Sequence, residues 1–123
     1  MIKWFDAKEK IGSASLYSSN ITLNTVAMYP LDYAFRVLVG ISDEGNIIIK
    51  PVSKNDVESG QLDESRLLKL EIHKSFARIS SSLLMRQISE EFHLELGKVP
   101  LRYSTNWDNN DNVLVIDIKG GQK

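Results

Sequence analysis

Phe35-Arg36-Val37-Leu38-Val39-Gly40-Ile41-Ser42-Asp43-Glu44-Gly45-Asn46-Ile47-Ile48-Ile49 is the stretch whose reading decides the fold. Phe35, Val37, Val39 and Ile41 alternate with Arg36, Leu38, Gly40 and Ser42, a two-residue period that lays one apolar face of a strand against a core. Asp43-Glu44-Gly45-Asn46 supplies turn residues, and the β-branched run Ile47-Ile48-Ile49 carries the chain back. Pro51 lacks a backbone donor and marks a strand end or an edge. The stretch reads as a β-hairpin.

The same plan recurs downstream. Leu101, Tyr103, Thr105 and Trp107 alternate with Arg102, Ser104 and Asn106, residues 108–112 turn, and residues 113–118 return, which makes a second hairpin. Ahead of it, Leu84, Ile88 and Phe92, with Met85 beside them, recur at the spacing of one helical face, so an amphipathic helix is expected over Ser82–Phe92. Ser80, Ser81 or Ser82 would cap its start, and Gly97 would stop it. Leu68, Leu70 and Ile72 alternate with Lys69, Glu71 and His73 as a half-buried strand does. Ile21-Thr22-Leu23-Asn24 reads as a short extended piece, with one helical turn over residues 25–28 before Pro30 resists continuation. Gly12-Ser13-Ala14-Ser15 reads as a loop, and the acidic stretch 54–64 as a surface connection.

These elements define a β-rich α+β fold in a single domain, 1–123, with two similar hairpin-containing halves, 13–53 and 66–119, and a flexible tail at 120–123. The halves share an order: an extended segment, a Ser/Thr/Asn-led helical piece ending in Met28 or Met85, and a hairpin with an acidic, asparagine-bearing turn. Duplication of one unit and chance similarity of two β-rich halves both fit that order.

Bulk composition removes several function classes. With 123 residues, 42% of them hydrophobic and 25% charged, the chain is the size of one globular domain and lacks the bias of a disordered or fibrous protein. The absence of cysteine excludes disulfides, thiolate nucleophiles and iron–sulfur clusters. No apolar run approaches the roughly 20 residues of a membrane span, and charge follows too soon after Met1 for a secretory signal, so no membrane association and a cytoplasmic location are expected. A net charge of −1 argues against a generic nucleic-acid coat and leaves room for a local patch. Such a patch exists in the sequence: Arg66, Lys69, Lys74, Arg78 and Arg86 face one acid, Glu71, between positions 65 and 86. The alternative is that Arg66, Lys69 and Lys74 neutralise the acidic stretch 56–64.

Arg78-Ile79-Ser80, followed by a helix and a terminal hairpin, resembles the arginine–aliphatic–serine/threonine start of the AbrB and MraZ swapped-hairpin repeat. Residues 20–51 resemble a second, degraded copy, with Asn20 in the place of the arginine. The chain departs from the family pattern before the arginine, where Ser75, Phe76 and Ala77 stand in place of aspartate and glycine, and after it, where Ser82 stands in place of proline. The resemblance implies a homo-oligomeric, DNA-binding transcription regulator with Arg78 as the motif arginine. Lys74 and Arg86 join Arg78 as nucleic-acid-binding candidates from charge alone, since cations on both sides of a strand-to-helix junction suit a phosphate.

Catalysis has weaker support. No glycine-flanked serine elbow or phosphate loop is present, so no catalytic, metal-binding or cofactor-binding residue is expected. Glu90 and His93 have the spacing of one helical face, which reads as a solvated face, since di-iron sites need several such helices. Trp4, Tyr103 and Trp107 read mainly as core aromatics. The competing functions are therefore a protein-interaction module without nucleic-acid affinity and, third, a small-molecule binder or enzyme.

Overall fold

A computed structural model describes residues 1–5, 7, 10–60 and 62–121. Eight strands form one antiparallel sheet: β1 (Ser13–Leu16), β2 (Asn20–Asn24), β3 (Arg36–Ile41), β4 (Ile47–Val52), β5 (Glu71–Ile72), β6 (Phe76–Ser80), β7 (Leu101–Asp108) and β8 (Val113–Ile116). Their order across the sheet is β3-β4-β8-β7-β1-β2-β6-β5. The sheet curls until its edges meet, where Val37 and Leu68 exchange two backbone hydrogen bonds of 2.9 and 2.8 Å. This single bridge pins the two edge strands together at one point and shortens the edge that could recruit another strand.

Three helices complete the chain: α1 (Thr25–Met28), α2 (Lys54–Glu58) and α3 (Ser82–Phe92). Each half thus runs strand, strand, helix, strand, strand, and α2 lies in the connection between them. The two hairpins of one half never pair with each other. Instead β2 pairs with β6, β1 with β7, β4 with β8, and Val37 with Leu68, so every seam between hairpins joins one half to the other. β7 is the longest strand because it serves both kinds of contact: its first four residues pair with β1 and its last four with β8.

Alternation sets the core. Inward-pointing Ala14, Leu16, Ile21, Leu23, Val37, Ile47, Ile49, Ala77, Ile79, Tyr103, Leu114 and Ile116 are buried, and they fill an eight-stranded barrel with side chains, as barrels of that size permit. α1 adds Ala27 and Met28 to the same cluster, and α3 adds Met85 and Ile88.

The expected hairpins, the extended piece at β2 and the α3 helix are all present. Three local expectations change. Gly12-Ser13-Ala14-Ser15 is no loop: Ser13–Leu16 is a buried central strand, in which Ala14 and Leu16 face the core while the serines face outward. Gly12 is needed at its start because a Cβ there would collide with Thr105 Oγ1. α3 stops at His93, not Gly97. His93 adopts a left-handed conformation (φ 56°), and Ser89 closes the end by accepting backbone bonds from His93 and Leu94. That turn also takes His93 off the helix, so Glu90 and His93 do not share a helical face. Of the expected strand at residues 68–73, only Glu71–Ile72 is regular. The expected helical turn is α1 itself, Thr25–Met28, after which Pro30 sits in a 3₁₀ turn at Tyr29–Leu31, where its missing N–H removes no bond.

The predicted aromatic core holds for Tyr103, and Trp107 is half-buried against the same cluster, but Trp4 is exposed. Gly120 and Gly121 of the expected flexible tail donate backbone bonds to Asp117 and Ile118; Gln122 and Lys123 lie outside the described residues. Among the described residues no helix is long and apolar enough to cross a membrane.

Burial raises the Tyr103 phenol above its ordinary pKa of about 10. Below that pH the phenol is neutral in the folded and the unfolded chain. As pH rises above it, the unfolded chain ionises first, so the folded state loses stability up to the raised folded value. Tyr103→Phe should therefore weaken the fall in melting temperature as pH rises above about 10, measured by circular dichroism beside the wild type.

Candidate nucleic-acid interface

Because Ile21, Leu23, Ala77 and Ile79 face inward, the residues between them face out. Strand register aligns Arg102, Ser15, Thr22, Arg78 and Glu71 in one row across β7, β1, β2, β6 and β5. A neighbouring row holds Ser104, Ser13, Asn24 and Phe76, and Asn20 pairs with Ser80 on the far side. The outward side of these strands is thus built of hydroxyls and amides with cations set into it, although Ser13 and Ser15 are themselves buried. Glu71 is the single acid among the outward residues of β1, β2, β5 and β6. Asp108 ends β7, and the other described acids, Asp32, Asp43, Glu44, Asp56, Glu58, Asp63, Glu64, Glu90, Glu91, Glu95, Asp111 and Asp117, lie in turns, connections and α3.

Local bonds hold this face. Thr22 Oγ1 donates to Asn20 Oδ1 at 2.6 Å, and Asn20 Nδ2 donates to Ser19 Oγ at 3.0 Å. Ser80 Oγ donates to Glu71 Oε1 at 3.4 Å. Asn24 accepts from the backbone N–H groups of Ser13 and Ala27, which fixes β1 to β2 and caps α1.

Arg78 is half-buried at the centre of the face. Its guanidinium carbon lies 5.1 Å from the Phe76 ring centroid, within cation–π range. His73 stacks on the same ring at 4.4 Å with an interplanar angle of 17°. The Arg78 Nε is buried with no hydrogen-bond partner, although Glu71 stands opposite in register. Among the described residues Arg78, Lys74 and Arg102 make no ion pair. Arg66 does: it lies 3.8 Å from Asp63. Hydrogen bonds from the Ser65 side chain and backbone, with help from Arg66, lower the Asp63 pKa. The neutralising role weighed for Arg66, Lys69 and Lys74 therefore describes Arg66.

The three sequence candidates do not converge on one phosphate. Lys74 is exposed in the turn before β6, Arg78 is mid-strand, and Arg86 projects from α3 beyond the other end, beside Ser18, Ser82 and Ser89. At about 3.3 Å per residue, the six residues from Lys74 to Ser80 span about 20 Å. The helix start is already satisfied, since Ser81 accepts from Leu84 N–H at 3.1 Å. Arg102 joins the face and was not among the candidates. Its outward position was legible in the alternation of residues 101–107, but its place beside Ser15 depends on β1, which reads as a loop. Three strand spacings of about 4.8 Å put Arg102 about 14 Å from Arg78.

The described residues contain no group of three His, Asp or Glu side chains placed to hold a metal ion. No family model matches the chain, and neither a curated protein nor a solved structure matches it.

Arg78→Met keeps the apolar stem over Phe76 and removes a charge that no acid among the described residues pairs. We expect the unfolding free energy to change by less than about 1 kcal/mol in urea titrations, because losing the cation–π contact with Phe76 is offset by removing the buried, unpartnered Nε. A loss above about 1.5 kcal/mol would make Arg78 a structural residue.

Proposed function

We propose that this chain is a non-catalytic, cytoplasmic nucleic-acid-binding protein, a DNA-binding transcription regulator of AbrB/MraZ-like architecture. Its binding surface is the outer face of β7, β1, β2, β6 and β5. The observation that carries the reading is the segregation of charge: in a chain of net charge −1, this face holds Arg78, Arg102 and the adjoining Lys74 against Glu71 beside Arg78 and Asp108 at the far end of β7. Arginine, lysine, serine, threonine and asparagine are the side chains that contact phosphate and sugar.

The spread of the cations favours a backbone track over a phosphate pocket. Arg78 and Arg102, about 14 Å apart, suit phosphates on either side of a groove about 12 Å wide. Lys74 and Arg86 extend the track in opposite directions along β6. His73 and Phe76 add an aromatic surface on which a base can stack if a strand is splayed. Exchange of hairpins between the halves supports the architectural resemblance independently of charge.

A second reading, an assembly module without nucleic-acid affinity, is favoured by a separate observation: Ile2, Trp4 and Phe5 are exposed. The two functions can coexist on different surfaces.

Fluorescence anisotropy with labelled duplex DNA across a salt series separates them. Binding should weaken steeply with salt, with a log–log slope of about −2 to −4 for two to four phosphate contacts. Arg78→Ala and Arg102→Ala should each bring the slope about one unit nearer zero. Absence of binding at low salt, or slopes untouched by both variants, would contradict the reading.

A further inference from the structure

The halves are unequal over their second hairpins. Val37 N–H donates to Leu68 O, and in the other half Thr105 N–H donates to Gly12 O, both at 2.9 Å. Matching positions along β3 and β7 are therefore Leu38 and Asn106, Val39 and Trp107, and Gly40 and Asp108. Beside Val39 lies α3, with eleven residues, whereas α1 beside Trp107 has four before the Pro30 turn. The β3–β4 hairpin thus has Leu38, Gly40 and a helical wall where the β7–β8 hairpin has Asn106, Asp108 and a single helical turn.

Strand register makes the outer surface of that hairpin. With Val37, Ile47 and Ile49 turned inward, Leu38 and its partner Lys50 face outward, as do Gly40 and its partner Ile48. These four floor a groove of about 500 Å³, a volume suited to a small molecule. One wall is the start of α3, with Leu83 and Leu84, and the other is the connection carrying Arg66 and Leu68. The floor is open above Gly40, where a Cβ would meet nothing within 4 Å. Val39, Gly40, Leu84 and Gln87 also line an adjoining hollow, which carries the groove on past Ile41 to Glu90 and Glu91.

Charge is ordered along this groove. Lys50 and Arg66 stand at the Leu38 end, where no acid lines it, and Glu90 and Glu91 stand at the other. Among the described residues Lys50 makes no ion pair. Arg66 pairs only with Asp63, at 3.8 Å between two exposed side chains, an arrangement that holds an arginine weakly. From Ser81 at the cationic end to Glu91 at the acidic end, α3 spans about 15 Å at the helical rise per residue. Between those ends the walls are apolar apart from Gln87.

We propose that the groove binds a medium-chain aliphatic carboxylate, with the head group at Lys50 and Arg66 and the chain laid over Gly40 against Leu38, Ile48 and Leu84. The two cations call for an anion at one end, and charge-assisted hydrogen bonds from them are the strong kind. The acids at the other end repel a second anionic group, so the ligand carries one charge and a fixed direction. The leucine and isoleucine surface between them leaves the hydroxyls of a sugar or a nucleoside without partners, at a cost that an alkyl chain does not incur. This inference does not rest on the nucleic-acid reading, since Gly40, Lys50 and Arg66 lie off the cationic face.

Titration of the full chain with sodium decanoate below its micelle-forming concentration, followed by amide NMR spectra, tests it. Saturable shifts should centre on Gly40, Ile48 and Leu84. Hexanoate, with four fewer methylenes, should bind about tenfold more weakly. Lys50→Ala/Arg66→Ala, both at exposed positions, should weaken decanoate about tenfold. Gly40→Leu places a side chain in the open floor and should abolish the shifts with the melting temperature unchanged; if it lowers that temperature, the Lys50/Arg66 variant decides. Absence of saturable shifts would overturn the proposal, as would shifts centred on the Val26–Trp107 groove. Undiminished affinity in the Lys50/Arg66 variant, or equal affinity for decyltrimethylammonium, would overturn it by showing that the chain adheres without recognition of the carboxylate.

Discussion

The fold depends on strand pairing between halves. β2 and β6 lie side by side, where Ile21 meets Ile79 and both are fully buried, while β1–β7, β4–β8 and the Val37–Leu68 bridge close the remaining seams. A hairpin alone is marginal in water. Here each hairpin finds its neighbours in the other half, so the core exists only when both halves are present. The pairings are long-range, which makes the closure entropy of the connection around α2 part of the cost of folding.

That constraint also explains what the sequence disclosed. The β3–β4 hairpin and α3 were legible because period-two alternation and the Leu84, Met85, Ile88 and Phe92 spacing are local signals. Ser13–Leu16 was not, since four residues rich in serine look like a loop until β2 and β7 flank them on both sides. The strand at 68–73 shrank to two residues because Leu68 is taken up in closing the barrel against Val37. At the candidate site, Arg78 was found from a short motif and from charge, but Arg102 was missed because its neighbour Ser15 is 87 positions away and on a strand that sequence periodicity hides.

The halves differ in ways that assign different tasks to matching positions. At the central seam Thr22 faces Arg78, so one half offers a hydroxyl where the other offers a cation. At the hairpin ends, α3 covers Val39 whereas α1 leaves Trp107 half-open. The polar face and the apolar groove arise from these departures. A barrel with two identical halves would carry either feature twice or not at all.

The most direct test of the central claim is to produce residues 1–60 and 62–123 as separate chains and to follow each by circular dichroism and amide exchange, alone and mixed. Mutual exchange of hairpins predicts that neither fragment unfolds cooperatively by itself and that equimolar mixing restores the protected strands and a single melting transition. Cooperative unfolding of either fragment alone would contradict it, since that half would then have a core of its own.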